Sequence, residues 1–232
     1  MQCDTLIVSD VHLGSPQAMA EALHSLLSTS TFNRLILLGD IFSDLNFRRL
    51  TKEHWEVISL IRKLSNPKRN IEVVWVEGNH DADLTQVMEH LIGVKVYQQY
   101  EWYWQGKKCI AMHGHQFDSL FATGNPWFNG IVTEVYIRLQ KVNFLKRWLP
   151  RILDKLHTNY QRLTYKVAEG AIHVAEELKA DYIFCGHTHQ KHFVNKGAIN
   201  YYNVGCWVDH TGGTYAALQE DGKLALYEYR KS

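Results

Sequence analysis

The chain has little cysteine, almost no net charge and no long apolar run, and each shortage removes a class of protein. Its four cysteines, Cys3, Cys109, Cys185 and Cys206, lie far apart and form no Cys-x-x-Cys pair. That spacing excludes a zinc ribbon and a thioredoxin-like redox motif, and predicts free, buried thiols acting as small hydrophobes. A formal charge of +1 over 232 residues supplies no long basic track, so a nucleic acid is disfavoured as a partner. No apolar run approaches the length of a membrane span. Thr5-Leu6-Ile7-Val8 follow Met1 almost directly, without the basic start and apolar segment of a secretory leader, and the expected location is cytoplasmic. Internal repeats and low-complexity linkers are also missing, so residues 1–232 are expected to form one α/β domain with one core.

What is plentiful is histidine, with thirteen residues, several of them in tight polar clusters where an apolar run stops. Thr5 to Val8 read as a short strand ending in Ser9-Asp10-Val11-His12, followed by a helix through Met19 to Leu27. Leu35 to Leu38 repeat the pattern and end in Gly39-Asp40, with Asp44 close behind and a helix from about Lys52 to Leu64. Ile71 to Val76 form a run expected of a strand buried on both faces, and it stops abruptly at Gly78-Asn79-His80-Asp81. Three β-loop-α units in succession imply a parallel sheet with crossover helices, whose ligands bind outside the carboxyl ends of the strands.

The pattern then changes. Val94 to Met112, with a turn at Gln105-Gly106, reads as an antiparallel hairpin that delivers His113-Gly114-His115 and Asp118. From about 119 to 178 helical periodicity dominates, and this stretch is expected to be an inserted cap. Ala180 to Cys185 form another buried strand, leading to Gly186-His187-Thr188-His189. Strand-like runs at Ile199–Val208, Thr214–Gln219 and Leu224–Tyr229, with turns at Gly212-Gly213 and Asp221-Gly222, complete the chain.

Five strand ends thus deliver Asp10 and His12, Asp40, Asn79 and His80, His113, and His187 and His189. A single histidine on such a strand is more often a hydrogen-bonded structural residue, and Gly78-Asn79-His80-Asp81 alone is equally well a turn. Together the side chains supply enough imidazole, carboxylate and amide groups for two metal sites. Their chemistry suits Zn, Mn or Fe, and the absence of cysteine disfavours a purely structural zinc site. Within the tetrapeptide, Asn79 offers a ligand, His80 a proton donor and Asp81 a group to orient it.

In this order, Asp10-x-His12, Gly39-Asp40, Gly78-Asn79-His80-Asp81, His113 and Gly186-His187-Thr188-His189 resemble the five blocks of the calcineurin-like metallophosphoesterases. The resemblance runs from Asp10 to His189 and implies a four-layer α/β/β/α sandwich with two packed mixed sheets. It also implies two divalent ions, Mn being preferred over Zn or Fe, with Asp40 bridging them. Asp10, His12 and His189 would complete one site, and Asn79, His113 and His187 the other. A metal-bridging hydroxide would attack a phosphoester or pyrophosphate, His80 would face the substrate phosphate, and Asp81 would fix the His80 tautomer. Asp44 and Asp118 are either acceptors for ligand imidazoles or solvated loop carboxylates. Retention of every block argues against a non-catalytic scaffold, and a broad phosphodiesterase or a nuclease is the alternative activity.

A narrower resemblance rests on His113-Gly114-His115-Gln116-Phe117-Asp118, the helical insertion, Asp181 to His189 and Tyr202-Asn203-Val204-Gly205-Cys206-Trp207-Val208. These are similar to the subgroup around UDP-2,3-diacylglucosamine pyrophosphatase, in which the insertion is a lid for acyl chains. The insertion here interleaves Phe121, Trp127, Phe128, Phe144, Leu145, Trp148 and Leu149 with Arg138, Lys141, Lys146, Arg147, Arg151 and Lys155. That mixture suits an amphiphilic phosphate or peripheral contact with an anionic membrane surface, and it equally suits an amphipathic cap packed on the core. His80 and His115 depart from the subgroup, which often has Arg and Asp at those places.

Overall fold

A computed structural model describes residues 1–44, 46–81, 89–90, 92–118, 150–208 and 212–229, and of 150–160 only the backbone. In chain order the elements are β1 (Gln2–Val8), α1 (Ala20–Thr29), β2 (Thr31–Leu38), α2 (Lys52–Leu64), β3 (Glu72–Val76), β4 (Val96–Tyr97), β5 (Gln99–Trp104), β6 (Lys107–Met112), α3 (Pro150–Glu177), β7 (Tyr182–Cys185), β8 (His192–Lys196), β9 (Ile199–Asn203), β10 (Gly213–Leu218) and β11 (Leu224–Tyr229). They build two mixed sheets, one ordered β11-β10-β1-β2-β3-β4 and the other β5-β6-β7-β9-β8.

Alternation along buried strands explains the layering. In β1, Leu6 and Val8 face α1 and α2 while Ile7 faces the second sheet; β2 divides Leu35 and Leu37 from Ile36 and Leu38 in the same way. The helices fill the outer face with Leu23, Leu26 and Leu27 of α1 and Val57, Ile61 and Leu64 of α2. Between the sheets, Ile7, Ile36, Val74 and Val76 meet Trp102, Cys109, Ala111 and Phe184. Val167, Ala168, Ala171, Ile172 and Ala175 of α3 cover the far side of the second sheet against Ile110, Ile183 and Tyr201. The result is the expected α/β/β/α sandwich, and all four cysteines are buried and free.

Three features add to or alter the sequence expectations. Within the segment expected as a cap, Val167 to Ala175 of α3 pack on the second sheet as the outer layer of the sandwich. The aromatic and cationic residues of that segment from Phe121 to Leu149 lie outside the described residues. β8 has no counterpart among the sequence expectations: it is an edge strand whose residues are half-buried or exposed and whose pattern has only Phe193 and Val194 as apolar members. Gly213 opens β10 instead of sitting in a turn. Among the described residues, no helix is long and apolar enough to cross a membrane.

The parallel strands β1, β2 and β3 of one sheet and β6 and β7 of the other end on the same side of the sandwich, since their following loops interact there. Trp75, 1% exposed, anchors that end: it stacks on Phe42 at 5.8 Å, and its indole N–H donates to Asp81 at 3.4 Å. Trp75→Ala is expected to cost about 3–5 kcal/mol by cavity formation, measured as a lowered denaturant midpoint at unchanged slope.

Candidate metal centre

Three of the five loops, those after β1, β2 and β7, adopt backbone conformations that their residues ordinarily avoid. Of the eight described non-glycine residues with positive φ, five are Asp10 (50°), His12 (51°), Asp40 (50°), His187 (67°) and His189 (52°). The other three, Asn70, Gln105 and Lys179, sit at turns or helix ends. Left-handed backbone at bulky residues persists only where the surroundings over-determine it, and it concentrates at functional sites.

Those surroundings are visible. The N–H groups of Asp10 and His12 donate to the Gly39 and Asp40 carbonyls at 3.1 and 3.0 Å, and Gly186 N–H donates to His113 O at 3.0 Å. Two glycines permit the approach of neighbouring loops. A Cβ on Gly78 would run into the backbone and carboxylate of Asp40, and one on Gly186 into Ser9 and Asp10.

Each acidic residue has one oxygen held by a loop and the other facing the imidazoles. Asp10 Oδ2 accepts from Ser9 Oγ at 2.6 Å and His187 N–H at 2.9 Å. Its Oδ1 has no hydrogen-bond partner and lies 3.2 Å from His189 Nε2 and 3.9 Å from His12 Nε2. Asp40 Oδ1 accepts from His80 N–H at 2.8 Å. Its Oδ2 lies 3.3 Å from His113 Nε2, 3.9 Å from His80 Nε2 and 4.0 Å from His12 Nε2.

The histidines are set as ligands are. His113 Nδ1–H donates to Leu38 O at 3.0 Å, which fixes the tautomer and leaves Nε2 buried without a hydrogen-bond partner. His12 Nε2 and His189 Nε2 are 3.1 Å apart, so a shared proton or a cation must separate their lone pairs. His187 Nε2 lies 3.4 Å from Asp118 Oδ2, placing Asp118 as a partner of that imidazole. Asn79 Oδ1 is another buried acceptor without a hydrogen-bond partner.

Three groupings have ligand atoms mutually within 4.8 Å: Asp10, His12 and His189; His12, Asp40 and His80; and Asp40, His113 and His187. Six of the seven expected ligands, all but Asn79, fall in these groupings together with His80, and Asp40 and His12 are each common to two. The orphaned Asp10 Oδ1, Asn79 Oδ1 and His113 Nε2 fit a divalent cation, which would satisfy acceptors that no N–H or O–H reaches.

Electrostatics agrees with geometry. Burial pushes the Asp40 carboxyl up, yet His113, His80 and His12 hold it well below the usual carboxylate range. Burial, reinforced by His189, pushes His12 down to about 3, the neutral form that binds metal. Burial opposes a charge on His113, but the Asp40 and Asp10 carboxylates prevail and push it up to about 9.

One sequence assignment changes and one open alternative is decided. Asp81 is assigned by sequence to orient His80, but its carboxylate is taken by Ile41 N–H and Phe42 N–H, both at 3.0 Å, and by Trp75. His80 Nδ1–H instead donates to the Ser43 carbonyl at 2.7 Å. Asp44, open between an acceptor for a ligand imidazole and a solvated loop carboxylate, is the loop carboxylate: it accepts from Asn46 N–H at 2.8 Å and pairs with Arg49 at 2.7 Å. His115, whose role the sequence does not set, has its ring 5.5 Å from that of His113. Sequence reasoning missed Ser9, Ser43 and Leu38. The latter two act through backbone carbonyls, which carry no residue signature, while Ser9 is marked only by being a hydroxyl at a buried strand tip.

A family model described as Calcineurin-like phosphoesterase matches residues 4–191. Similar solved structures include a novel archaeal phosphodiesterase, at 16% identity and a TM-score of 0.50, covering 97% of this chain and 98% of that one. The phosphoesterase Yfce from E. coli has the same identity and TM-score, with coverage of 97% and 99%. Vacuolar Protein Sorting 29 from Cryptosporidium parvum is 18% identical, with 99% of each chain covered and a TM-score of 0.48. No curated protein matches the sequence.

Because a proton on His113 and a cation compete for one nitrogen, metal affinity is expected to strengthen as pH rises toward about 9. Isothermal titration with Mn in buffers of different ionisation enthalpy would show proton release at pH 7; its absence would rule out the competition.

Proposed function

The chain belongs to the calcineurin-like phosphoesterase family, and from that premise we propose that this metal-dependent phosphoesterase is dinuclear and cleaves phosphodiester or pyrophosphate bonds. The observation that carries the reading is the convergence of Asp10, His12, Asp40, His80, His113, His187 and His189 in linked groupings, with orphaned acceptors among them.

Asp10, His12 and His189 would hold one ion and Asn79, His113 and His187 the other, with Asp40 between. When bound, such ions polarise a phosphoryl oxygen and lower the pKa of a coordinated water. The protein residues supply the rest. The Ser43 carbonyl accepts a hydrogen bond from His80 Nδ1–H, which leaves Nε2 facing the centre. With its side chain still 19% accessible, His80 can meet a bound phosphate. From Nε2, 3.9 Å from Asp40 Oδ2, it would pass a proton to the departing oxygen.

The candidate substrate within this class is UDP-2,3-diacylglucosamine, supported by the resemblance of the blocks around His113 and Asn203. In sequence, residues 119–149 mix the apolar and cationic types that an amphiphilic phosphate requires. Access to such a substrate would put the protein in the cytoplasm beside the inner face of a membrane.

His80→Ala is expected to keep its metal and lose about 10²–10⁴-fold in kcat, whereas Asp40→Asn loses metal and turnover together. Metal content by atomic emission beside hydrolysis of an activated phosphodiester separates the two; an Asp40→Asn variant with full metal and full rate would refute the bridging role. For the substrate, Mn-reconstituted protein is assayed on UDP-2,3-diacylglucosamine beside nucleotides and phosphodiesters. UMP release selective for the lipid substrate is expected, and hydrolysis of the panel without it would exclude that assignment.

A further inference from the structure

We propose that Asn203, well outside the five ligand blocks, is a positioning residue whose amide holds the loop of His187 and His189 in its ligating conformation. This rests on the metal-centre reading above.

His187 and His189 flank Thr188 with φ of 67° and 52°, so two bulky residues two positions apart hold left-handed backbone. Left to itself such a loop relaxes. Asn203 ends β9, paired beside Cys185 at the end of β7, and its side chain is fully buried. The amide Nδ2 donates to the Gly186 carbonyl at 2.6 Å and lies 3.1 Å from Thr188 Oγ1 and 3.3 Å from the Tyr201 hydroxyl. Its Oδ1 accepts from Gly205 N–H at 3.1 Å. One side chain therefore joins the ligand loop to the loop after β9. That second loop also touches the metal centre, because Trp207 N–H donates to the Asp10 carbonyl at 3.0 Å.

The donor and acceptor at this spot are not interchangeable. An aspartate would keep the acceptor for Gly205 but turn a carboxylate oxygen on the Gly186 carbonyl; an alanine would leave the Gly186 carbonyl and Gly205 N–H without this partner in a buried place. Since His189 and His187 are assigned to different ions, loosening their shared loop weakens both sites together, unlike the loss of a single ligand.

The test is Mn titration of Asn203→Asp, Asn203→Ala and Thr188→Val by calorimetry, with His189→Ala as the single-ligand control, and kcat measured against Mn concentration. The expected result for the Asn203 variants is about 10–100-fold weaker binding of both ions, with kcat recovering at saturating Mn. A merely structural role would lower the active fraction without moving the Mn dependence. Wild-type Mn affinity in a folded Asn203 variant overturns the proposal. Where neither Asn203 variant folds, Thr188→Val decides: weaker Mn binding at both sites supports the staple, and unchanged binding overturns it. If the wild-type protein binds no Mn, the proposed function fails first; if it binds and hydrolyses while the variants match it, only the role of Asn203 fails.

Discussion

Two buried carboxylates set the terms for this structure. Asp10 and Asp40 are 0% and 2% exposed, and a charge taken out of water is tolerable only where opposite charge or hydrogen bonds replace the lost hydration. Each carboxylate uses one oxygen for loop donors and turns the other toward imidazoles. Without a cation, the charge comes from protons on histidine, which is why burial fails to depress His113. A divalent ion would supply the same compensation while leaving His12 and His113 neutral.

That demand explains why the loops are strained and why the strain is affordable. Ligands from five strand ends can meet at one point only if the chain reverses sharply after each strand; after β1, β2 and β7 it does so through left-handed backbone at Asp10, His12, Asp40, His187 and His189. Loop-to-loop hydrogen bonds and the packing of Trp75 and Trp207 hold those conformations. The sandwich beneath is rigid because β1, β2 and β7 are buried on both faces, their residues divided among three apolar clusters.

Much of the fold was legible because its strands are short, apolar and bounded by polar clusters. α2 ran from Lys52 to Leu64 as its periodicity required, and β11 from Leu224 to Tyr229. β8 was not legible, since an edge strand at the surface needs no apolar alternation, and its pairing with β9 is what creates it. The ligand residues were legible by type and position. The partners that fix their tautomers were not: Leu38 and Ser43 act through carbonyls, and Asp81 looked like the neighbour of His80 in sequence while serving Ile41 and Phe42.

The sequence by itself determined which side chains could carry the chemistry, because imidazoles, carboxylates and an amide at five strand tips are fixed by composition and spacing. It also determined that the layers would form, because buried strands and amphipathic helices announce themselves by period. Only the tertiary structure decided which atom of each side chain faces the centre, which backbone carbonyl holds His80, and that Asn203 spans two loops. Those are relations between residues up to dozens of positions apart, set by packing distances and hydrogen-bond direction, to which local sequence has no access.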